Sequence, residues 1–546
     1  MKKTTRVLSL LTILCLLCVS LLAGCGSETP DTQATTTTVG DVTTVDGATT
    51  TTETPASGNA SSTKKPTKGS TNASSSNVAN TPDPIASVSD IRIGGTALSG
   101  FNSGTTFYVH YLPVGTTAVP KVTATKSSGT GNITITQATS VNGAAKVTLG
   151  DVTYTIQFVV KRAENEILNN TYYQLKTANK LNVAYLGGSV TAGHNSYTTG
   201  TSPKEPDYSN SVDSWRAKTT QWFKDRYPNA TITETNAGIG GTGSMYGAYR
   251  VIQDLKLQSA TEKPDLVFIE FASNDHGETY INKTPDVYME SIIRTIYQYA
   301  PQADIVMVLI TNYNTKDTEF DAKAAHKKIA DIYQIPYIDV GARLWKEIVS
   351  ENGGTAPKQD SAVWGKYFSD TVHPAKAGYQ KYTDYICEYL NGVLSKKTVT
   401  PASRKNAEMP SAAVTNLPVS PYIDNFKGMT LSSGFTVADN GYVITRKGGT
   451  ITFKFTGTDL YAWIYGQSTS EDAAGYFRIY VDGVRQTGKI PLTGNNHRLL
   501  PLATGLSNGE HTIQLLVTSS STGTVNLDLR YLLISGDTQM RGITLA

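Results

Sequence analysis

The stretch that most constrains this chain is LNVAYLGGSVTAG, Leu181 to Gly193. Its apolar run, Val183 to Leu186, reads as a buried strand. The run stops at Gly187 and Gly188, and Ser189 follows at once. A strand that ends in Gly-Gly-Ser places a hydroxyl on the rim of a parallel sheet, where α/β proteins hold their ligands. A nucleophilic serine also needs a base and oxyanion donors from elsewhere in the chain.

The residues around this stretch supply the rest of such a sheet. Apolar runs at Val183 to Leu186, Ala230 to Ile239, Leu266 to Phe271, Ile305 to Ile310 and Tyr337 to Val340 alternate with helical patterns. The helices are expected over Ser214 to Tyr227, Pro285 to Tyr299 and Ala322 to Tyr333. Strand–helix alternation predicts a parallel sheet covered on both faces, here a three-layer α/β domain over residues 163–395.

The flanks differ. Residues 85–162 carry short alternating runs between Gly, Asn, Ser and Pro turns, and read as a small immunoglobulin-like β-sandwich acting as a spacer. After a Pro-containing linker at 396–418, strand patterns return over 419–546 and predict a β-sandwich or jelly roll. The run Tyr461-Ala462-Trp463-Ile464-Tyr465 offers aromatic faces for sugar rings, although alternating aromatics in strands also build cores.

The first 25 residues read as a targeting segment. Lys2, Lys3 and Arg6 precede an apolar core that ends in Leu22-Ala23-Gly24-Cys25. That tetrad resembles a bacterial lipobox, which implies lipidation of Cys25 and tethering to the outer face of the cytoplasmic membrane. Residues 26–84 are rich in Thr, Ser, Ala and Gly, and cannot bury enough apolar surface to fold. As a flexible stalk they would span roughly 40–45 Å r.m.s.. Of the four cysteines, Cys15 and Cys18 leave with the signal and Cys25 takes lipid, so Cys387 has no partner for a disulfide. A net charge of +3 argues against a nucleic-acid or polyanion binder.

Candidate partners for Ser189 follow in order. Asp370-Thr371-Val372-His373 precedes an expected helix from Ala375 to Leu390, so His373 can act as general base and Asp370 can orient it. Asn236 to Gly243 forms a Gly-rich block whose backbone N–H groups are unshielded, and Asn274 ends another strand with a side-chain amide. Together these blocks resemble the SGNH, or GDSL-like, hydrolase superfamily. The resemblance implies Ser189 as nucleophile, His373 as base and Asp370 as its partner. It implies an oxyanion hole of the Ser189 N–H, Gly241 and Asn274, with Gly240 competing with Gly241 for the register. No metal or cofactor is implied.

Two departures mark the chain. Gly188 stands where the family usually has an aspartate, and the third block reads Ala-Ser-Asn-Asp in place of Gly-x-Asn-Asp. Both resemble a branch found in bacterial carbohydrate esterases. Other motifs carry less. Gly505 to Gly509 fits G-x-S-x-G but lies between strand patterns, and reads as a turn. His276 and Glu278 lack a second histidine at ligand spacing. His326 reads as a helix-surface or packing residue, and His194, beside the nucleophile loop, as a solvated loop residue or a substrate contact. The expectation is therefore a surface-tethered esterase removing O-acyl groups from polysaccharide, without an obligate protein partner. The alternatives are a lipase or thioesterase of the same superfamily, or a non-catalytic glycan-binding lipoprotein.

Overall fold

A computed structural model describes residues 86–194, 211–277, 285–395 and 397. In the C-terminal part it describes 422–423, 435–437, 443–446, 450–466, 476–491, 497–518, 524–535 and 542–545. The targeting segment with Cys25, the stalk, the linker apart from Lys397, and Glu278 lie outside the described residues.

The α/β domain contains five parallel strands: β1 (Lys180–Gly187), β2 (Thr231–Gly238), β3 (Leu266–Glu270), β4 (Asp304–Leu309) and β5 (Tyr337–Asp339). Their spatial order is β5-β4-β3-β1-β2. The order reverses between β1 and β3, and this flavodoxin-like arrangement opens a crevice at their carboxyl ends. Alternate residues along each strand feed two cores. Ala184, Leu186, Val267, Ile269, Ile305 and Met307 face α2 (Ser244–Asp254), α3 (Pro285–Tyr299) and α4 (Asp321–Tyr333). Val183, Tyr185, Leu266, Phe268, Val306 and Val308 face α1 (Trp215–Arg226), α5 (Val340–Glu351) and α6 (Lys376–Ser395).

The expected helices form, with small shifts at their ends. Ser214 caps α1 by accepting from the Ala217 N–H at 3.2 Å. Among the longer helices described, two escape the sequence pattern. Helix α2 follows the Gly-rich block directly, and α5 follows a strand of only three residues.

Residues 88–160 form a three-stranded and a four-stranded sheet. They share a core of Ile91, Val122, Val147, Ile156 and Phe158. Within the larger sheet Phe107–Leu112 pairs in parallel with Val152–Val160. The module is tied to α4 through its C-cap, because the Gln334 amide donates to Val160 O at 2.7 Å and accepts from the Arg162 N–H.

The C-terminal part has two antiparallel sheets. Gly505 has φ +68°, and its N–H donates to Asp459 at 2.9 Å, so the G-x-S-x-G match is a turn between two strands. This part packs on the α/β domain. Leu533 joins the core of α2 and α3, and the Tyr249 hydroxyl is hydrogen-bonded to that of Ser535. Tyr461, read from sequence as a candidate sugar platform, instead lies against Tyr249 with ring centroids 6.4 Å apart. Its ring belongs to the contact between the two parts. The side chains of Trp463 and Tyr465 lie outside the described residues.

Candidate active site

The strand register assembles the site. Gly238 of β2 pairs with Gly187 of β1, and Gly187 pairs with Glu270 of β3. Three strand ends therefore stop level, and the segments that leave them meet at the switch point. Ser189 leaves β1, the Gly-rich turn leaves β2, and Asn274 leaves β3 on the short helix Ala272–Gly277.

His373 reaches Ser189 from the other end of the domain. Its Nε2 lies 2.8 Å from Ser189 Oγ, although 184 residues separate them in sequence. Its Nδ1 lies 2.7 Å from Asp370 Oδ2. The loop that presents both is tightly held. Asp370 Oδ1 accepts from the N–H groups of Val372 at 2.8 Å and His373 at 2.7 Å. The Trp364 indole donates to Asp370 O at 2.9 Å, and the Ser369 N–H donates to His373 O at 2.9 Å.

Electrostatics choose the tautomer. Burial opposes ionisation of Asp370, but the His373 ring and the His373 and Val372 amides outweigh it. The carboxyl is held well below the usual carboxylate range. An ionised Asp370 only accepts, so the proton lies on His373 Nδ1. Nε2 of the neutral ring is then an acceptor, and the Ser189 hydroxyl donates to it. That is the arrangement a serine needs to lose its proton as it attacks.

The blocks that hold the oxyanion candidates border the turn that carries Ser189. Ser189 begins the short helix Ser189–Ala192, so its own N–H has no acceptor within that helix. Asn274 Oδ1 lies 2.2 Å from the position a β-carbon on Gly188 would take. The Asn274 side chain therefore lies directly against the nucleophile turn, and the usual aspartate at position 188 would collide with it. Gly241 is exposed with φ +70°, a conformation that favours glycine. Thr242 O lies 3.3 Å from the same Gly188 position, so the Gly-rich turn borders the site.

Several residues brace the site without having been expected to. Asp275 Oδ1 accepts from the Ser244 N–H at 2.7 Å, and its Oδ2 lies 2.7 Å from His326 Nε2. His326 is 1 % exposed, as a packing histidine should be, and it steadies the Asn274-Asp275 block. Arg250 donates to Ala237 O at 2.6 Å and Gly187 O at 2.9 Å, tying the ends of β2 and β1 together. Arg216 donates to Thr191 O at 3.2 Å and pairs with Glu234. Glu270 receives the Thr191 hydroxyl at 2.8 Å. Its one sequence signal was an acid closing the otherwise apolar strand LVFIE. The His194 ring lies 4.1 Å from that of His373, so this loop histidine flanks the site. His276 pairs with Asp321 at 2.9 Å. Among the described residues, no group of three or more His, Cys, Asp or Glu side chains could hold a metal.

Residues 185–381 match the GDSL-like lipase/acylhydrolase family, and residues 435–528 match the carbohydrate esterase 2 N-terminal family. No curated protein matches the chain. Among solved structures, the chain is similar to a two-domain esterase (CEX) active on acetylated mannans. The two are 21 % identical with a TM-score of 0.55, over 69 % of this chain and 98 % of that one. The same esterase co-crystallised with mannopentaose gives a TM-score of 0.53 at 21 % identity and the same coverage. At that identity the likeness speaks to the fold, whereas the family match covers every strand end that meets at Ser189. Residues 185–381 therefore form a hydrolase domain of the GDSL-like lipase/acylhydrolase family.

Proposed function

We propose that this chain is a serine esterase that removes O-acyl groups, chiefly O-acetyl, from a polysaccharide. The observation that carries the reading is the Ser189–His373–Asp370 hydrogen-bond chain, set beside Asn274 at the switch point. Ser189 Oγ attacks the ester carbonyl and its proton passes to His373 Nε2. The tetrahedral oxyanion is held by the N–H groups of Ser189 and Gly241 and the Asn274 amide. Collapse expels the sugar hydroxyl, which takes the proton back from His373. Water then attacks the acyl-serine, again giving its proton to His373, and acetate leaves with Ser189 regenerated.

The carbohydrate part of the reading is supported by the carbohydrate esterase 2 match at 435–528. A fold shared with an esterase described as active on acetylated mannans agrees with it. Trp463 and Tyr465 are the aromatic residues proposed for sugar contact. The immunoglobulin-like spacer, the stalk and lipidated Cys25 complete a working arrangement in which the hydrolase is held off the outer face of the membrane. Substituting Cys25 by alanine then moves the protein from the membrane fraction to the medium.

The deciding experiment measures acetate release from acetylated xylan, mannan, pectin and peptidoglycan by wild type and Ser189→Ala. Release by the wild type and loss in the variant supports the reading. Full activity in Ser189→Ala removes Ser189 from its role. Activity confined to lipid or thioester substrates replaces the polysaccharide with an apolar one.

A further inference from the structure

Glu270 is the last residue of β3 and is 1 % exposed. A buried acid is costly unless it is hydrogen-bonded. Its carboxyl group lies beneath the nucleophile turn. Oε2 accepts from the Thr191 hydroxyl at 2.8 Å, and the Gly188 and Thr191 amides also favour its charged form. Thr191 is fully buried, and its Oγ1 folds back to within 2.2 Å of where a β-carbon on Gly187 would stand. Its carbonyl is taken by Arg216 at 3.2 Å. Thr191 is thus gripped by both its side chain and its main chain, two residues after Ser189.

We propose that Glu270 and Thr191 are a positioning pair that holds the turn from Gly188 to Ala192, and with it Ser189 Oγ, in line with His373. The inference rests on the reading of Ser189 as nucleophile. In this branch, where glycine replaces the aspartate at 188, the acid that supports the turn comes from the neighbouring strand.

The pair has a pH signature. The charge acting on Glu270 is Asp275 on the Ala272–Gly277 helix, and Glu270 in turn raises Tyr379 and Tyr382 on α6. Burial pushes Glu270 up to about 8, so it is mostly protonated at neutral pH. Ionisation above that value puts a negative charge beneath the site where the oxyanion forms, and turnover falls.

The test uses the full chain and 4-nitrophenyl acetate, with Ser189→Ala, Thr191→Val, Thr191→Ser and Glu270→Gln. A displacement of the nucleophile by a fraction of an ångström costs about 10–100-fold in kcat. Thr191→Val shows that loss with KM within about twofold, and Thr191→Ser recovers most of it. In Glu270→Gln the alkaline fall of kcat near pH 8 disappears. A Thr191→Val enzyme within twofold of wild type, or an alkaline fall unchanged in Glu270→Gln, overturns the pair. If Thr191→Val does not fold, the Glu270→Gln profile decides alone. Activity in Ser189→Ala would instead remove the nucleophile reading, which keeps the two failures distinct.

Discussion

The Asn274 side chain fills the space that a β-carbon on Gly188 would need, with Oδ1 2.2 Å from its ideal position. Glycine at 188 is therefore a consequence of how closely the third block approaches the first. The atom in the way is the end of a side chain, so a substitution is accommodated by moving Asn274. Asn274 is also the proposed oxyanion donor. Gly188→Ala should thus lower kcat by about 10²–10³-fold, the cost of one lost donor. Its melting temperature should stay within a few degrees of wild type. A stable variant with full kcat would show that Asn274 does not serve the oxyanion.

The hydrogen bonds at Asp370 make a second prediction. The residue accepts from the His373 ring and from two backbone amides, and these keep it ionised well below the usual carboxylate range. Asp370→Asn keeps the shape but turns an amide NH2, a donor, towards a ring N–H that needs an acceptor, and so favours the other His373 tautomer. A loss of about 10³–10⁴-fold in kcat is expected, with substrate binding little changed. Steady-state kinetics on acetylated glycan checks it, and a rise in KM with unchanged kcat would contradict it.

Arg250 links the two glycine-rich strand ends and has a fully buried side chain. Its partner Asp254 lies 2.7 Å away on the next turn of α2. Arg250→Met would remove a donor from that carboxylate and from the Ala237 and Gly187 carbonyls, of which Gly187 keeps the Ile239 N–H. Breaking a buried pair from one side costs about 3–5 kcal/mol, so the variant should unfold at markedly lower denaturant. A midpoint equal to wild type would show that other groups hold these strand ends.

The α/β domain was readable because its central strands β1, β3 and β4 are buried on both faces and so appear as apolar runs, whereas the edge strands β2 and β5 are partly exposed. Ser189, Asn274, Asp370 and His373 stood out because each lies at the end of such a run or at a loop-to-helix junction. Helix α2 did not, because its first residues, SMYGAY, mix small and aromatic side chains with a glycine in place of a simple stripe. The support of the nucleophile turn was hidden for a different reason. Thr191 and Glu270 are 79 residues apart, and only the strand register sets them side by side. Tyr461 lies against Tyr249 of α2, and alternation along a strand cannot tell a sugar-facing aromatic from one that packs on a neighbouring helix.

Burial of Glu270 also makes stability depend on pH. The folded-state value of about 8 lies above the ordinary 4.5, so between these values the native chain holds a proton that the unfolded chain has lost. Stability from this group is complete below about pH 4.5, falls as pH rises, and reaches its floor above about pH 8. Asp304, pushed by burial to about 6 from 3.8, adds a decline of the same sign at lower pH. Glu270→Gln cannot ionise, so it escapes the first decline but keeps the second. The melting temperature of Glu270→Gln relative to wild type should therefore rise steadily from pH 5 to pH 8 and then level off, as measured by thermal unfolding in matched buffers. A difference that is the same at every pH would mean that Glu270 is already ionised in the native protein at neutral pH. The hydrogen bonds from Thr191 and the turn amides would then outweigh its burial.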